Sequence, residues 1–196
     1  MDSKGHILQA IGEATAQFPP LPDLDGVGIE YDDVRAQFHT SLTLVGGQGI
    51  DVAGRDRLPA AVAALQEAQG AQRIYSAVPE AIASTIDLDT VAEPAELNQL
   101  DLAVFPGEWA VAENAAVWVT DAGLRHRVTY FIAEHLVLVV SATQLLHNMH
   151  QAYRQLSFDG PAYGVFISGP SKTADIEQSL VIGAQGPRSL HVFLVD

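Results

Sequence analysis

The sequence predicts a layered α/β domain, and three observations support this fold class. Predicted helices alternate along the chain with short apolar runs, which is the pattern of strands connected by helices. The length of 196 residues suits one such domain, with at most a small appendage. Hydrophobic residues make up 48% of the chain, which is enough to fill a core between a sheet and its covering layers.

The first half of the chain is predicted to begin with an appendage and to continue with alternating elements. Residues 3–18 have the apolar spacing of a helix, and a Pro-, Gly- and Asp-rich stretch over residues 19–30 indicates a flexible connector. We therefore predict an appendage at residues 1–30 and a main domain at residues 31–196. The elements predicted next are a helix over 32–45 capped by Asp32, a helix over 57–70, a strand over 73–77, a short helix over 79–85 and a strand over 102–105.

The second half is predicted to be richer in strands. An apolar stretch over residues 111–119 indicates a strand, and residues 125–131 are its predicted hairpin partner after a turn at 121–123. Residues 136–141 indicate a buried strand and residues 143–156 a helix. The predicted order at the end of the chain is a strand over 165–167, a polar turn, a helix that stops near Gly183, a turn at Gly186-Pro187 and a strand over 190–195.

Charge and composition exclude several classes of function. The chain has 24 acidic and 10 basic side chains, a net charge of −14, which repels nucleic acid and anionic membranes. It has no cysteine, so disulfides, thiolate nucleophiles and Cys-ligated zinc or iron–sulfur clusters are excluded. The absence of a leader pattern and of a long apolar run leads us to expect a cytoplasmic protein.

The turn after the strand at 165–167 is the strongest candidate for a ligand site. It holds Lys172, one of only two lysines in the chain, among hydroxyl-bearing residues. Thr173 is placed to cap the predicted helix, and the acidic residues of its first turn complement the helix dipole. Amides, hydroxyls and an ammonium at a helix N-terminus favour an anion or a carboxylate. The predicted ligand-binding residues of this turn are Ser168, Gly169, Ser171, Lys172, Thr173, Asp175 and Glu177.

Residues elsewhere in the chain are additional site candidates. Gly186 is also a predicted ligand-binding residue. Arg188 is either a second anion contact or a surface arginine, and His135 either reaches the same end of the sheet as the turn or has a packing role. Glu113 lies in an apolar stretch, where burial would raise its pKa and make it a base or nucleophile. The alternatives for Glu113 are a ligand contact or a structural pairing. His147 and His150 have the spacing of two metal ligands, but no third ligand is evident, so no metal site is predicted.

The C-terminal segment resembles a known family. The stretches Ser168-Gly-Pro-Ser-Lys-Thr-Ala-Asp-Ile-Glu-Gln178 and Leu180-Val-Ile-Gly-Ala-Gln-Gly-Pro187 are similar to the signature of the lactate-utilisation (LUD domain) family, LutC type. The strand over 190–195 closes the signature. The resemblance runs from about residue 102 to the end. In the segment Ala112-Glu-Asn-Ala-Ala-Val117, Asn114 and Ala115 stand where the family has Thr and Gly.

The resemblance implies both a fold and a biological setting. It implies a three-layer α/β/α domain with a mostly parallel sheet, like that of the NagB/RpiA/CoA-transferase group. It also implies a subunit of a system that oxidises L-lactate to pyruvate, together with iron–sulfur subunits. The lack of cysteine agrees with a subunit that binds no cluster itself, and no dinucleotide fingerprint is present.

These observations lead to three hypotheses about function. The first is a lactate-utilisation subunit that binds a small anionic ligand at the Ser168–Glu177 turn. The second is a non-catalytic scaffold whose acidic surface docks an iron–sulfur partner. The third is a CoA- or acyl-transferase that uses Glu113 as its nucleophile, by analogy with related folds. The apolar segment around Trp118 also offers surface for a homo-oligomer contact.

Overall fold

A five-stranded parallel sheet forms the centre of the protein. The computed structural model describes residues 3–13, 20, 22–24, 26–157, 159–160, 162–173 and 181–196. The strand order is β1-β11-β6-β3-β2, and every neighbouring pair is parallel. The bounds of these strands are β1 Gln48–Val52, β2 Ile74–Ser76, β3 Leu102–Pro106, β6 His135–Ser141 and β11 Ser189–Val195.

A second sheet of four short strands packs beside the first. Its order is β7-β4-β5-β8, in which β5 pairs antiparallel with both β4 and β8. A separate two-stranded ribbon joins β9 and β10. The bounds are β4 Trp109–Val111, β5 Ala116–Thr120, β7 Leu145–Leu146, β8 Gly164–Ile167, β9 Lys172–Thr173 and β10 Val181–Ile182.

The helices are short, and several are capped as their sequences require. Asp33 caps α2, because its carboxylate accepts a hydrogen bond from the Ala36 N–H at 2.9 Å. Helix α3 has Pro59 in its first turn and ends at Gly70, which is left-handed with φ 64°. The helix bounds are α1 Ser3–Glu13, α2 Val34–Leu44, α3 Leu58–Gln69, α4 Thr129–Ile132 and α5 Met149–Gln155. No helix in the described ranges is both long and apolar enough to cross a membrane.

The two faces of the parallel sheet are covered differently. Alternate residues of its strands, such as Val104 and Phe193, pack under Val62 of α3 on one face. Their neighbours, such as Phe105 and Val192, pack on the other face with α2 and the second sheet. The connection from β1 to β2 contains α3 and spans the whole sheet. The chain then returns strand by strand, from β2 through β3 and β6 to β11. Right-handed crossovers in opposite directions place their connections on opposite faces, which explains this arrangement.

The α/β fold class is therefore confirmed, as are the buried strands β3, β6 and β11. Strand β1 was not predicted, and the predicted hairpin partner at 125–131 is wrong, because β5 pairs with β4 and β8 instead. The short helix predicted over 79–85 is only a turn at 79–81. The helix predicted over 143–156 is also wrong in its first half. Leu145 and Leu146 pair with β4, and Asn148 caps the shorter α5.

The connector after α1 is held in place where the structure describes it. The Asn148 side-chain amide donates to the Ile29 carbonyl at 3.0 Å, and the Tyr31 N–H donates to His147 Nδ1 at 3.0 Å. Gly28 has φ 110°, and a Cβ there would lie 2.6 Å from the Asn148 amide nitrogen. Residues 28–31 thus lie against the start of α5. The domain boundary between residues 30 and 31 stays a prediction.

Candidate functional site

The predicted ligand turn lies at the amino ends of the parallel strands. We refer to residues 168–173 as the Lys172 turn. The Ser168 hydroxyl donates to the Asn114 carbonyl at 2.7 Å, which ties the turn to the β4–β5 connection. The Ser171 N–H donates to the Pro187 carbonyl at 2.9 Å, just before β11 begins. Segments distant in sequence therefore converge on this turn.

Gly169 packs closely against Val45, the residue that ends α2. It has φ 75°, and a Cβ at this position would lie 2.5 Å from the carbonyl oxygen of Val45. Backbone atoms cannot move aside as a flexible side chain can. Glycine is therefore required at position 169 by both its backbone conformation and its packing.

Substitution Gly169→Ala is expected to destabilise the protein. The left-handed conformation alone costs alanine roughly 1–2 kcal/mol, and the contact with the Val45 carbonyl adds to this cost. Chemical denaturation of both proteins measures the difference. Gly160→Ala is the control, because a Cβ there meets no atom within 4 Å, and we expect a change within about 0.5 kcal/mol. Equal effects of the two substitutions would show that Gly169 is not constrained by the Val45 contact.

Lys172 lies beside the C-terminus of α2, whereas the sequence pattern placed it at the N-terminus of a helix predicted to follow it. It belongs to β9, where it pairs with Ile182 of β10. Its Nζ lies 3.4 Å from where a Cβ would stand on Gly46, in the turn that ends α2. A cation is stabilised at a helix C-terminus by the helix dipole. The side chain is exposed and forms no hydrogen bond or ion pair with any residue that the structure describes.

The predicted capping role of Thr173 stays a prediction, because the helix that it would cap lies outside the described residues. Thr173 lies in β9 and pairs with Val181, so it has a strand conformation and a ribbon partner. The helix predicted to stop near Gly183 does not extend that far, because Val181–Ile182 is a strand. Asp175 and Glu177 lie outside the described residues, and their predicted roles stay predictions.

Arg188 and Gly186 border a cavity of about 420 Å³ near the same edge of the sheet. The Arg188 guanidinium donates to the Glu134 carboxylate at 2.8 Å, and both side chains are well exposed. A Cβ on Gly186 would lie 2.9 Å from the Ser171 Cβ, so this turn packs on the Lys172 turn. The charge of Arg188 is therefore already paired, which leaves Lys172 as the stronger anion contact of the two.

His135 takes part in a buried cluster that the sequence pattern did not predict. Its Nδ1 lies 2.8 Å from the Ser189 hydroxyl, which lies 3.0 Å from Nε2 of His191. Because a hydroxyl has one proton, Ser189 donates to one ring and accepts from the other. His191 is only 2% exposed, and its Nδ1 has no hydrogen-bond partner in the described part of the chain.

Burial lowers the pKa of both imidazoles of this cluster. Desolvation, with a smaller effect of His135, lowers the pKa of His191 to about 4. Desolvation is also the main cause of the lowered pKa of His135. Both rings lie on the sheet face that α3 covers. The sequence feature that could have indicated this cluster is the single histidine within the otherwise apolar strand β11. The cluster thus has the properties of a packed structural element rather than of an open site.

Glu113 is not buried, so the environment on which its predicted catalytic role depended is missing. It lies in the exposed turn between β4 and β5, and its carboxylate accepts the N–H of Met149 at 2.9 Å, at the start of α5. An acidic side chain at that position stabilises a helix N-terminus. Ala115 in the same turn has φ 56°, a conformation that glycine adopts without strain.

His147 is engaged by Tyr31, on the segment before α2. The His147 ring stacks on Tyr31 at 6.2 Å between centroids and accepts the hydrogen bond from its N–H. Within the described ranges, no three His, Asp or Glu side chains lie close enough together to hold a metal ion.

Comparison with known proteins identifies the family. The sequence profile of the LUD domain matches residues 94–195, just over half of the chain. The chain belongs to the LUD domain family. The match covers the second sheet, the Lys172 turn and β11, and it begins after α3. The resemblance of the C-terminal segment is therefore confirmed.

Several relatives of known name match about half of this LUD chain. Lactate utilization protein C 1 of Bacillus mycoides is 33% identical over 106 residues, which cover 49% of this chain and 44% of that protein. Lactate utilization protein C of Shouchella clausii is 32% identical over 101 residues, with the same coverage. The matched segments span less than half the length of these relatives.

A solved structure confirms the fold over most of the chain. The crystal structure of a DUF162 family protein from Deinococcus radiodurans superposes with a TM-score of 0.66. The superposition covers 86% of this chain and 100% of that one, at 17% sequence identity. At this identity the likeness concerns the fold alone, and it extends over most of the α/β architecture.

Proposed function

We propose that this LUD chain is a component of a system that oxidises lactate to pyruvate, and that it holds a small anionic ligand at the Lys172 turn. Two relatives that match about half of the chain are named lactate utilization protein C, which supports the setting. The ammonium of Lys172 pairs with no residue that the structure describes, and it lies within the segment that matches the family; this observation carries the ligand proposal.

The surroundings of Lys172 are suited to a small carboxylate. The neighbouring Arg188 is neutralised by Glu134, so a ligand carboxylate would meet the Lys172 charge without a competing acidic partner among the described residues. Residues 111–196 contain 7 acidic and 5 basic side chains, whereas residues 1–110 contain 17 and 5. Electrostatic repulsion of an anion is therefore weaker in this half of the chain.

Removal of the Lys172 ammonium is expected to abolish ligand-dependent stabilisation. We expect lactate or pyruvate to raise the melting temperature of the wild-type protein, since a ligand at 100 times its Kd stabilises by about 2.7 kcal/mol. Lys172→Ala should lose this increase while it keeps its circular dichroism spectrum, because the side chain is exposed. Lys172→Arg should retain part of the increase. Calorimetric titration with lactate, pyruvate, CoA and nucleotides identifies the ligand.

The chain offers a matched control for this experiment. Lys4, on α1, is the only other lysine, so Lys4→Ala makes the same change in net charge away from the turn. It should leave the ligand response intact. Unchanged binding in Lys172→Ala, or an equal loss in Lys4→Ala, would remove the ligand assignment.

A second candidate function is a scaffold that docks an iron–sulfur subunit, and α1 favours it. The side chains of Ile7, Leu8 and Ile11 are 58–64% exposed, and α1 has no buried residue. An exposed apolar stripe of this kind is typical of an interaction surface. If this function holds, Ile7→Ser with Ile11→Ser should abolish co-elution with the purified Cys-rich subunit, whereas Lys172→Ala should not.

The third candidate, a transferase that uses Glu113, has less support from the geometry. Glu113 is exposed and already engaged by the N-terminus of α5. A CoA-exchange assay in which Glu113→Gln turns over as fast as the wild-type protein would dispose of a nucleophilic role.

A further inference from the structure

A cleft lies at the carboxyl ends of the parallel strands, whereas the Lys172 turn lies at their amino ends. It is formed where β2, β3, β6 and β11 end, at Ala77, Pro106, Ser141 and Asp196. Ligands of open α/β sheets bind outside the carboxyl ends of the strands, because the loops that follow them splay apart there. We call this feature the edge cleft.

The edge cleft consists of two adjoining cavities. One, of about 290 Å³, is bordered by the start of α3 and by Ser141 and Gln144. The other, of about 330 Å³, is bordered by the aromatic residues Tyr75, Phe105 and Tyr130. Ala77, Pro106 and Glu108 line both cavities, so Glu108 stands at their junction. Each cavity has about the size that a small organic ligand needs.

Some polar side chains of the edge cleft have hydrogen-bond or ion-pair partners among the described residues, and others have none. The Glu108 carboxylate accepts one hydrogen bond, from the Thr120 hydroxyl at 2.7 Å, and has no basic partner among the described residues. The Tyr75 hydroxyl and the Gln144 amide form no hydrogen bond in the same part of the chain. The guanidinium of Arg55 is paired with Glu80 at 3.1 Å. Glu108 is therefore the charge that the cleft leaves uncompensated.

The aromatic cavity has a negative electrostatic environment. Burial is the main cause of the raised pKa of Tyr130, and Asp121 and Glu108 raise it further. Burial, together with Asp89, also raises the pKa of Tyr75. These shifts mean that nearby carboxylates disfavour additional negative charge in this cavity. A positive charge beside aromatic faces is favoured by the same field and by the ring quadrupoles.

We propose that the edge cleft binds a small organic cation, a protonated amine with an apolar ring or chain. Its ammonium donates to the Glu108 carboxylate, and its apolar part lies against Tyr75 in the aromatic cavity. The net charge of −14 attracts such cations to the protein from a distance. This site is separate from the Lys172 turn in position and in charge preference.

Three ligands of one shape test the proposal. Benzylamine, benzyl alcohol and benzoate share a benzene ring and differ in charge, and each is titrated into the full chain while protein NMR spectra are recorded. We expect benzylamine to bind and to shift the signals of Tyr75 and Tyr130, which border the aromatic cavity. Benzyl alcohol should bind about tenfold more weakly, since it lacks the charge-assisted hydrogen bond, and benzoate should be excluded.

Two variants assign the interaction to Glu108. Glu108→Gln keeps the shape of the side chain and should weaken benzylamine binding by about tenfold. Glu67→Gln removes the same charge from the exposed far end of α3 and should leave the affinity unchanged. The proposal is overturned if benzoate shifts the Tyr75 signals as strongly as benzylamine does, if benzylamine shifts none of them, or if both variants weaken benzylamine binding equally.

Discussion

Replacement of Phe193 with alanine is expected to lower the free energy of unfolding by about 3–5 kcal/mol. Phe193 is fully buried in β11, which lies between β1 and β6 and packs under α3. The substitution removes a ring from the middle of this layer, and a parallel sheet covered on both faces cannot collapse to fill the cavity. A loss of this size is a large part of the stability of a typical domain.

Denaturant unfolding of Phe193→Ala and Phe131→Ala measures this effect against a matched control. Phe131 is 40% exposed in α4, so its truncation should cost less than about 1 kcal/mol. If the two variants lost similar stability, β11 would not be the centre of the core.

Acidification is expected to destabilise the protein through His191. The folded state lowers the pKa of this imidazole from 6.5 to about 4, so the unfolded chain binds a proton more readily than the folded one. The stabilisation is therefore complete above pH 6.5 and is lost as the pH falls through 4. At pH 5 the loss relative to pH 8 is about 2 kcal/mol. The lowered pKa of His135 acts in the same direction.

Unfolding curves recorded between pH 8 and pH 4.5 test this linkage. His191→Gln has no proton to bind in this range, so its stability should fall less steeply than that of the wild-type protein. His150→Gln, at an exposed position of α5, should keep the wild-type slope. An NMR titration of the native state reports the same property directly. A His191 ring that titrates near pH 6.5 would show that burial does not keep it neutral.

The strands that are buried on both faces could be predicted from the sequence, because burial requires apolar residues along the whole strand. Residues 102–105, 136–141 and 190–195 are apolar apart from Ser141 and His191, as expected for strands covered on both faces, and all three lie in the parallel sheet. Strand β1, Gln48–Val52, was missed because it is an edge strand with a glycine and only one fully buried residue. Its pairing with β11 joins positions about 140 residues apart, which no local pattern reveals.

The second sheet and the ribbon could not be predicted from local patterns for a related reason. Leu145–Leu146 has helical neighbours in sequence, but its pairing with β4 overrides that tendency. Lys172–Thr173 is followed by a helix-like sequence, yet it pairs with Val181–Ile182. In both cases pairing with another segment decided the conformation.

In the candidate site, too, some features could be predicted from the local sequence and others depend on how distant segments pack. That a lysine stands in a polar turn could be predicted from Lys172 and its neighbours alone. Its position beside the end of α2 depends on the contact between Gly169 and Val45. The burial of His191 and the exposure of Glu113 also depend on how distant elements pack.

A crystal structure of the protein soaked with pyruvate would locate the anionic ligand relative to the Lys172 turn. We expect density for the ligand carboxylate within hydrogen-bond distance of Lys172 Nζ, about 2.7–3.2 Å. We also expect this density to be absent from Lys172→Ala crystals soaked in the same way. Pyruvate bound elsewhere in the wild-type crystals, with the Lys172 ammonium in contact only with solvent, would contradict the proposed ligand site.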